Sequence, residues 1–310
     1  MYHIRYRPKF LADFVGNSAI IEDLQRKYPN WPKTFLIHGA SGCGKTTLAR
    51  IIANELQCAD MYIKEIDAAQ DRGIDAMREL IKSSYARPLI GTMKVYILDE
   101  AHMLTNESMN ALLKITEEPP PKTYFIFCST NPTKIIPTLT NRCYKINLQP
   151  LQDKEIGQII KRVLDSEKIE LTETLRKICN FILKESKGIP REALILLSAL
   201  KDCPTVEEAQ VKLHGFTSED PKVYELVQAI VKGDYVKIMS TFEELPQSNY
   251  ESLRIVIAKI LKKFIKNSKI EEKKILHKKL EMFSNSVDNH IGDIALYTIL
   301  WKCSNLYEGL

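Results

Sequence analysis

The chain has 310 residues, enough for two or three domains, and its 45% hydrophobic and 27% charged residues are an ordinary globular balance. The formal net charge of +5 permits a polyanionic partner without requiring one. Seven cysteines lie far apart and form no C-x-x-C pair, which argues against a disulfide framework or a zinc site and favours a reducing compartment. No apolar run reaches the length of a membrane span, and residues 1–5 lack the apolar core of a signal peptide. We therefore expect a soluble intracellular protein with no membrane contact.

The first 33 residues are expected to form an extended arm that turns into a helix over residues 20–28. The arm contains the segments Tyr6-Arg7-Pro8 and Phe14-Val15-Gly16-Asn17. An apolar arm of this kind could cover a bound ligand, and ordinary packing explains the same composition equally well.

Residues Gly39–Thr47 match G-x-x-x-x-G-K-[ST], the phosphate-binding loop. A strand-like apolar stretch precedes the loop, and apolar residues at helical spacing follow it, which is the context that the motif needs. Glycines let the backbone curve so that several N–H groups and a helix N-terminus face one anion. Lys45 would reach the outer phosphates, and Thr46 would offer a hydroxyl to Mg²⁺. The residues expected to bind the nucleotide here are Gly39, Ser41, Gly42, Cys43, Gly44, Lys45, Thr46 and Thr47.

A buried strand over residues 94–98 ends in the acidic pair Asp99-Glu100, some fifty residues after the loop. Parallel sheets bind ligands at the carboxyl ends of their strands. We therefore expect Asp99 to hold Mg²⁺, directly or through water, and Glu100 to polarise an attacking water.

The remaining pattern alternates strands with helices and indicates an open parallel sheet. Thr105 or Asn106 can cap the helix that follows the acidic pair, and the prolines after Glu118 end it. Other strands are predicted over residues 61–67, 123–129 and 144–148, and another helix runs to Tyr85, with Pro88 and Gly91 closing its connection.

After Pro150 only helical spacing remains. Gly188 is expected to cap one helix, and Pro190 begins the next, which carries Arg191 in its first turn. Residues 214–221 resemble a linker, and helical patterns continue to the end. The predicted domains are a nucleotide-binding domain over 1–149, a helical lid over 150–213 and a helical collar over 220–310.

Residues 254–279 contain ten Lys or Arg and two Glu, a local net charge of +8. Such a run usually indicates a solvated helix face, and an acidic partner is the alternative.

Together these residues resemble the ATPase subunits of sliding-clamp loaders in the AAA+ superfamily, both the bacterial DNA polymerase III gamma/tau subunit and the replication factor C small subunit. The resemblance covers residues 1 to about 200 and implies an α/β AAA+ phosphate-loop domain with a parallel sheet, a helical lid and an all-α collar. Besides the arm segments, the phosphate loop and the acidic pair, it is carried by Glu65–Ala69, Ala101–Leu104, Asn110–Lys114, Glu117–Pro120, Asn141–Cys143 and Gly188–Arg191.

The resemblance also implies roles for single residues. Arg142 falls on the family's arginine finger, which completes a neighbouring subunit's site, although Asn141 stands where the family usually has serine. Arg191 falls on the second sensor, which touches the nucleotide from the lid. Thr130 falls on the first sensor, and Val15 lies near the adenine pocket.

By the same resemblance, nucleic acid is held along its phosphates by helix N-termini and basic residues. The candidates are Arg72, Thr105, Asn106 and Lys114. Ile81, Tyr85 and Leu89 are candidates for docking the clamp, with a core role an equal alternative.

The resemblance implies an ATP- and Mg²⁺-dependent motor subunit that acts with other loader subunits in a pentameric ring, a sliding clamp and primer–template DNA. It would work in the cytoplasm of a bacterial or phage-infected cell. A helicase or translocase is one alternative, since Asp99-Glu100-Ala101-His102 spells a helicase box, but no second sheet pattern is visible. A non-hydrolysing scaffold subunit is another, and the intact phosphate loop and acidic pair argue against it.

Overall fold

A computed structural model describes residues 1–86, 93–214, 220–245, 250–268, 270–284 and 292–305. The chain folds into two compact units, residues 1–201 and 202–310. Within the described ranges, no helix is long and apolar enough to cross a membrane. The finer division at residues 149, 213 and 220 stays a prediction.

The first unit is built on a parallel sheet whose described strands match the five predicted from the sequence. They are β1 (Thr34–Gly39), β2 (Ile63–Asp67), β3 (Lys94–Asp99), β4 (Thr123–Ser129) and β5 (Tyr144–Leu148). Their order across the sheet is β2-β3-β4-β1-β5, and every pair is parallel. β4 is buried throughout, because a parallel sheet covered on both faces shields its central strands from water.

Helices cover the two faces of the sheet. Those of the first unit are α1 (Tyr2–Arg5), α2 (Ser18–Lys27), α3 (Lys45–Glu55), α4 (Ile74–Tyr85), α5 (Asn106–Glu117), α6 (Pro137–Thr140), α7 (Asp153–Glu167), α8 (Glu173–Glu185) and α9 (Pro190–Leu200). Successive residues of β1 point to opposite faces, so Phe35 packs in one core with α2 and α3 while Leu36 packs in another with α4 and α5. The fold is an α/β sheet sandwiched by helices, as predicted.

Helices α7, α8 and α9 pack on one another and form the region predicted as the lid. Gln152 and Glu155 make a reciprocal capping box at the start of α7, and Thr172 caps α8. Pro190 occupies the first turn of α9, where a missing N–H costs nothing.

The regular elements described in the second unit are all helices. Its helices are α10 (Val206–His214), α11 (Pro221–Lys232), α12 (Tyr235–Glu243), α13 (Tyr250–Asn267), α14 (Ile270–Met282) and α15 (Gly292–Asn305). A single apolar core joins α11 to α15, with Leu226, Ile257 and Leu300 at its centre.

The structure corrects several predicted boundaries. The arm is not extended throughout: residues 2–5 form α1 because Tyr2 is buried, and α1 packs on α9. A 3₁₀ turn over Asp60–Tyr62 delays β2 to Ile63. Ser186, not Gly188, holds the C-cap of α8, and Pro221 belongs to α11 rather than to a linker. Pro88, Gly91, Leu89 and residues 215–219 lie outside the described residues.

Substitution of Gly188 tests how tightly the backbone packs where the sheet meets the helices of the lid. Its φ is +75°, and an added Cβ would lie 2.4 Å from the carbonyl oxygen of Leu151. We expect Gly188→Ala to lower the free energy of unfolding by about 1–3 kcal/mol, as judged by the denaturant midpoint.

Gly157 in α7 is the matched control, because no described atom outside its own helix turn lies within 4 Å of its added Cβ. Gly157→Ala should raise the same free energy by about 0.4–1 kcal/mol. Equal effects of the two substitutions would contradict the assigned strain at Gly188.

Candidate nucleotide-binding site

The loop between β1 and α3 is shaped by glycines that no other residue could replace without strain. Gly42 and Gly44 have φ values of +78° and +100°, in the left-handed region. An added Cβ on Gly42 would lie 2.7 Å from Ile189 Cγ2 and 3.2 Å from Arg191 Cβ. The loop backbone therefore runs close under the first turn of α9.

Lys45 and Thr46 open α3 at the mouth of this loop. Lys45 is only 6% exposed, and its Nζ donates to the carbonyl oxygens of Gly39 and Ala40 at 3.2 and 3.1 Å. Thr46 Oγ1 donates to Asp99 Oδ2 at 2.6 Å, so the loop meets the carboxyl end of β3. A hydroxyl beside a carboxylate is a pair of oxygen ligands that suits Mg²⁺, and the residues present fit that ion.

Glu100 lies beside this pair in an unusual backbone conformation, with φ of +47°. Its backbone N–H donates to Asp99 Oδ1 at 3.0 Å. Its side-chain Oε2 accepts a hydrogen bond from Thr130 Oγ1 at 3.1 Å and lies 3.3 Å from His102 Nδ1. The end of β4 thus fixes the carboxylate that sequence analysis assigned to the attacking water.

A pocket opens between this edge of the sheet, the N-terminal arm and the lid. Ser41 to Thr47, Asp99 and Glu100 form its polar end, and Val15 and Arg191 line it as sequence analysis expected. Phe14, Val15, Ile159, Val163 and Leu194 supply an apolar wall. Gly39 does not line the pocket. Its carbonyl oxygen accepts a hydrogen bond from Lys45 Nζ instead.

Sequence reasoning missed two further arginines in the pocket wall. Arg7 belongs to the Tyr6-Arg7-Pro8 segment, which carried the family resemblance but received no role. Burial lowers the pKa of Arg7, and the nearby charges of Arg50 and Arg191 act in the same direction. Arg162 also lines the pocket, and its Nη1 donates to the carbonyl oxygen of Asp13 at 2.9 Å. Positive charge therefore approaches the pocket from the arm and the lid as well as from Lys45.

His3 is a third pocket residue for which the sequence pattern carried no signal. It lines the pocket, and its Nδ1 is the one buried side-chain nitrogen or oxygen without a hydrogen-bond partner among the described residues. Burial lowers its pKa, and the positive charges of Arg191, the N-terminus and Arg7 lower the pKa further.

Arg142, the expected arginine finger, does not line this pocket. It follows α6 on the surface, with its side chain 32% exposed. Its Nε and Nη2 donate to Glu117 Oε2 at 3.2 and 2.9 Å, and Nη1 donates to the carbonyl oxygen of Thr138 at 2.7 Å. The guanidinium is thus oriented at an exposed site outside its own chain's pocket.

Of the four residues expected to contact nucleic acid, all except Lys114 lie at the N-terminus of α5. Thr105 caps the helix by accepting from Ser108 N, and Ser108 Oγ donates to the carbonyl oxygen of Arg72 at 2.9 Å. Arg72 and Asn106 are exposed beside that cap. Lys114 is also exposed but lies eight residues further on, about 12 Å along the axis.

The expected clamp-docking residues are only partly described. Tyr85 is 58% exposed at the end of α4, whereas Ile81 packs partly against the core beneath it. Leu89 lies outside the described residues, and of the two described candidates Tyr85 is the more exposed.

A phosphate loop facing an acidic pair across a parallel sheet, under a helical lid, defines an ATPase fold of the AAA+ class. Solved structures of RuvB from Thermotoga maritima share it: the Holliday junction branch migration motor aligns over 73% of this chain and 79% of its own, with a TM-score of 0.56 and 22% identity. A singly substituted form of that protein gives a TM-score of 0.57. Identity at this level shows the fold alone.

Curated proteins of similar sequence are more informative than the shared fold. The DNA polymerase III subunit gamma of Buchnera aphidicola subsp. Acyrthosiphon pisum is 29% identical over 82% of this chain and 76% of its own length. The subunit tau/gamma of Haemophilus influenzae is 30% identical over 78% of this chain, which spans only 38% of that longer relative. Residues 60–152 also match the family described as DNA polymerase III, delta subunit. The chain is similar in sequence to the DNA polymerase III gamma and gamma/tau subunits, so the predicted resemblance to these subunits is confirmed.

His3→Phe tests whether the unpartnered nitrogen weakens the fold. A buried polar group without a partner costs about 1–3 kcal/mol, so an apolar ring should leave the free energy of unfolding at pH 7.5 unchanged or raise it by up to about 1 kcal/mol. The measurement is a denaturant titration of the nucleotide-free chain.

The lowered pKa of His3 adds a pH dependence to this test. The unfolded chain takes up the proton more readily than the folded chain, so the wild type should lose stability relative to His3→Phe as the pH falls below about 6.5. A variant that is destabilised at pH 7.5 and shows no relative gain at pH 5.5 would contradict the assignment.

Proposed function

We propose that this chain is an ATP-hydrolysing motor subunit of a DNA sliding-clamp loader. The observation that carries the proposal is the 2.6 Å contact between Thr46 and Asp99, which joins the phosphate loop to the acidic pair. The homology to DNA polymerase III gamma subunits supports the loader assignment. The proposed partners are other loader subunits in a pentameric ring, a sliding clamp and primer–template DNA, in the cytoplasm of a bacterial or phage-infected cell.

The phosphate loop is proposed to bind the polyphosphate of ATP through its backbone N–H groups. Gly42 and Gly44 hold the curve that directs these groups inward, and the buried Lys45 keeps its ammonium beside the loop. Thr46 and Asp99 would hold Mg²⁺, which when bound neutralises charge on the phosphate oxygens. The apolar wall with Phe14 and Val15 is suited to cover the base.

Glu100 is proposed to orient and polarise the attacking water. A carboxylate does this only from a fixed position, and the hydrogen bond from Thr130 supplies one restraint. Arg191 enters the pocket from the first turn of α9, which places a positive charge over the loop from the lid side. Closure of the lid on nucleotide would then be coupled to the loop that binds the phosphates.

Arg142 is proposed to complete the site of a neighbouring subunit. It does not line its own chain's pocket, and Glu117 and Thr138 orient its guanidinium at the surface. A guanidinium supplied in trans stabilises the charge that develops on the transferred phosphoryl group and makes hydrolysis depend on assembly.

The exposed N-terminus of α5 is proposed to contact the phosphates of primer–template DNA. Arg72 and Asn106 lie at that end, where the helix dipole favours an anion. Such contacts read the backbone rather than the bases, so binding would be independent of sequence and would weaken with salt.

Substitutions at the pocket separate nucleotide binding from turnover. Lys45→Ala should abolish ATP binding, because it removes the only cation within the loop. Glu100→Gln should retain binding and lower turnover by at least about 100-fold, because an amide cannot take up a proton from water. Binding is measured with a fluorescent ATP analogue, and turnover is measured in the assembled loader with and without primed DNA and a clamp.

Glu118→Gln is the matched control for Glu100→Gln, since Glu118 is an exposed carboxylate at the end of α5. It should leave both measurements unchanged. Full turnover by Glu100→Gln would exclude Glu100 as the catalytic base, and wild-type activity that neither DNA nor clamp stimulates would favour another AAA+ role.

Arg142→Ala tests the contribution in trans. We expect ATP binding by the isolated chain to be unchanged and hydrolysis in the assembled loader to fall by about 10³-fold or more. Arg78→Ala is the control, because Arg78 is an exposed arginine whose described ion pair is with Asp75 in its own helix. Undiminished ATPase activity in the assembled Arg142→Ala complex would show that this arginine is not the finger.

A further inference from the structure

One face of α13 carries the strongest concentration of positive charge in the second unit. Lys259, Lys262, Lys263 and Lys266 are all exposed, and their i, i+3, i+4, i+7 spacing places them on one side of the helix. The opposite side is buried in the apolar core through Leu253, Ile257, Ile260, Leu261 and Ile265. The four residues are called the α13 lysine face.

These four side chains have no counter-charge within the described part of the chain. None makes an ion pair or a side-chain hydrogen bond there, whereas Lys222 and Lys237 of the same unit pair with Glu244 and Glu225 at 3.1 and 2.9 Å. The pairs 259/263 and 262/266 are like charges at i, i+4, each destabilising a helix by about 0.2–0.5 kcal/mol. The arrangement opposes helix stability unless an external anion balances it.

The neighbouring helix also carries exposed lysines. α14 packs on α13 and exposes Lys274 and Lys278. Residues 254–279 carry a formal net charge of +8 while the whole chain carries +5, so the rest of the chain is net negative. Such segregation produces a local positive potential that attracts polyanions.

The composition of the face favours a phosphate backbone over an acidic protein. Protein interfaces are depleted in lysine and enriched in arginine and aromatic residues. The α13 lysine face has only lysines as its charged residues, and the large apolar residue exposed on that side of α13 is Ile255, at 39%. Lysine binds phosphate as a mobile point charge that requires no fixed geometry.

We propose that the α13 lysine face binds the phosphate backbone of nucleic acid, independently of base sequence. From Lys259 to Lys266 the helix advances about 10 Å, the length over which one strand of a duplex presents about three phosphates. This surface is distinct from the N-terminus of α5 and lies in the other compact unit. The inference rests on charge and exposure alone and does not require the chain to be a clamp-loader subunit.

The test is binding of the full chain to a fluorescent single-stranded oligonucleotide and to a duplex, measured by anisotropy over a range of salt without ATP, clamp or other subunits. The variant changes all four lysines of the face to glutamine. We expect its affinity at low salt to fall at least about tenfold, and the slope of log K against log salt to decrease in magnitude by about 3 for the single strand.

Two further variants make the result specific to this face. Changing the same four residues to arginine keeps the charge and should retain binding. Changing four exposed lysines of α7 and α8 to glutamine alters the net charge equally and should leave the slope unchanged; these are Lys154, Lys161, Lys177 and Lys184. Circular dichroism and thermal unfolding confirm that each variant is folded.

An unchanged salt slope in the folded glutamine variant would overturn the proposal, and so would an equal loss in the α7 and α8 control. Poly-glutamate serves as a probe for the alternative occupant. If the glutamine variant lost binding to poly-glutamate while nucleic-acid binding stayed intact, the surface would be one for acidic proteins and the proposal would fail. A wild-type chain that binds DNA in this assay but does not hydrolyse ATP in the assembled loader would contradict the proposed motor function and leave this inference standing.

Discussion

The order of the strands is the constraint on which the candidate site depends. β4 lies between β1 and β3, and all three are parallel, so the segments that follow them emerge at one edge of the sheet. The phosphate loop follows β1, Asp99 ends β3, and Thr130 follows β4. Two short contacts, Thr46 to Asp99 and Thr130 to Glu100, then join the three segments. A different strand order would separate these groups even if every motif in the sequence were retained.

The edge of the sheet supplies the polar end of the pocket, and segments far away in the chain supply its walls. α1 packs on α9, and Arg5 forms an ion pair with Glu167 at 2.7 Å, while the Tyr6 hydroxyl also donates to Glu167. An ion pair with an exposed arginine contributes little by itself, so burial of Tyr2 is the larger restraint on the arm. The N-terminal residues and the lid therefore form one wall of the pocket, which links the lid position to whatever the pocket binds.

The sequence predicted the parts of the site that depend on local pattern. The phosphate loop, the acidic pair and all five strands follow from glycine spacing and apolar runs. The structure places the loop and the acidic pair together at the carboxyl ends of parallel strands, as predicted. His3, Arg7 and Arg162 could not be found in this way, because their place in the pocket depends on how the arm folds back on the lid. The contact between Thr130 and Glu100 was missed for a similar reason: it joins two strands whose adjacency only the strand order reveals. The helix at residues 2–5 was missed because four residues have almost no intrinsic helical stability, and tertiary packing forms it.

The two surfaces that we propose to bind phosphate would do so by opposite physical means. In the loop, Gly42 and Gly44 fix the backbone and Lys45 is almost fully buried, so the cost of ordering these groups is met during folding. Binding there should be directional and selective for a compact polyphosphate. On α13, exposed lysines with several rotatable bonds would have to be ordered when the partner binds, and salt screens them more strongly than it screens a buried group. The α13 lysine face would bind a flexible nucleic acid in many orientations, but it would not distinguish between base sequences. The difference in burial between Lys45 and the four lysines of α13 is therefore the physical basis for assigning chemistry to one surface and retention of nucleic acid to the other.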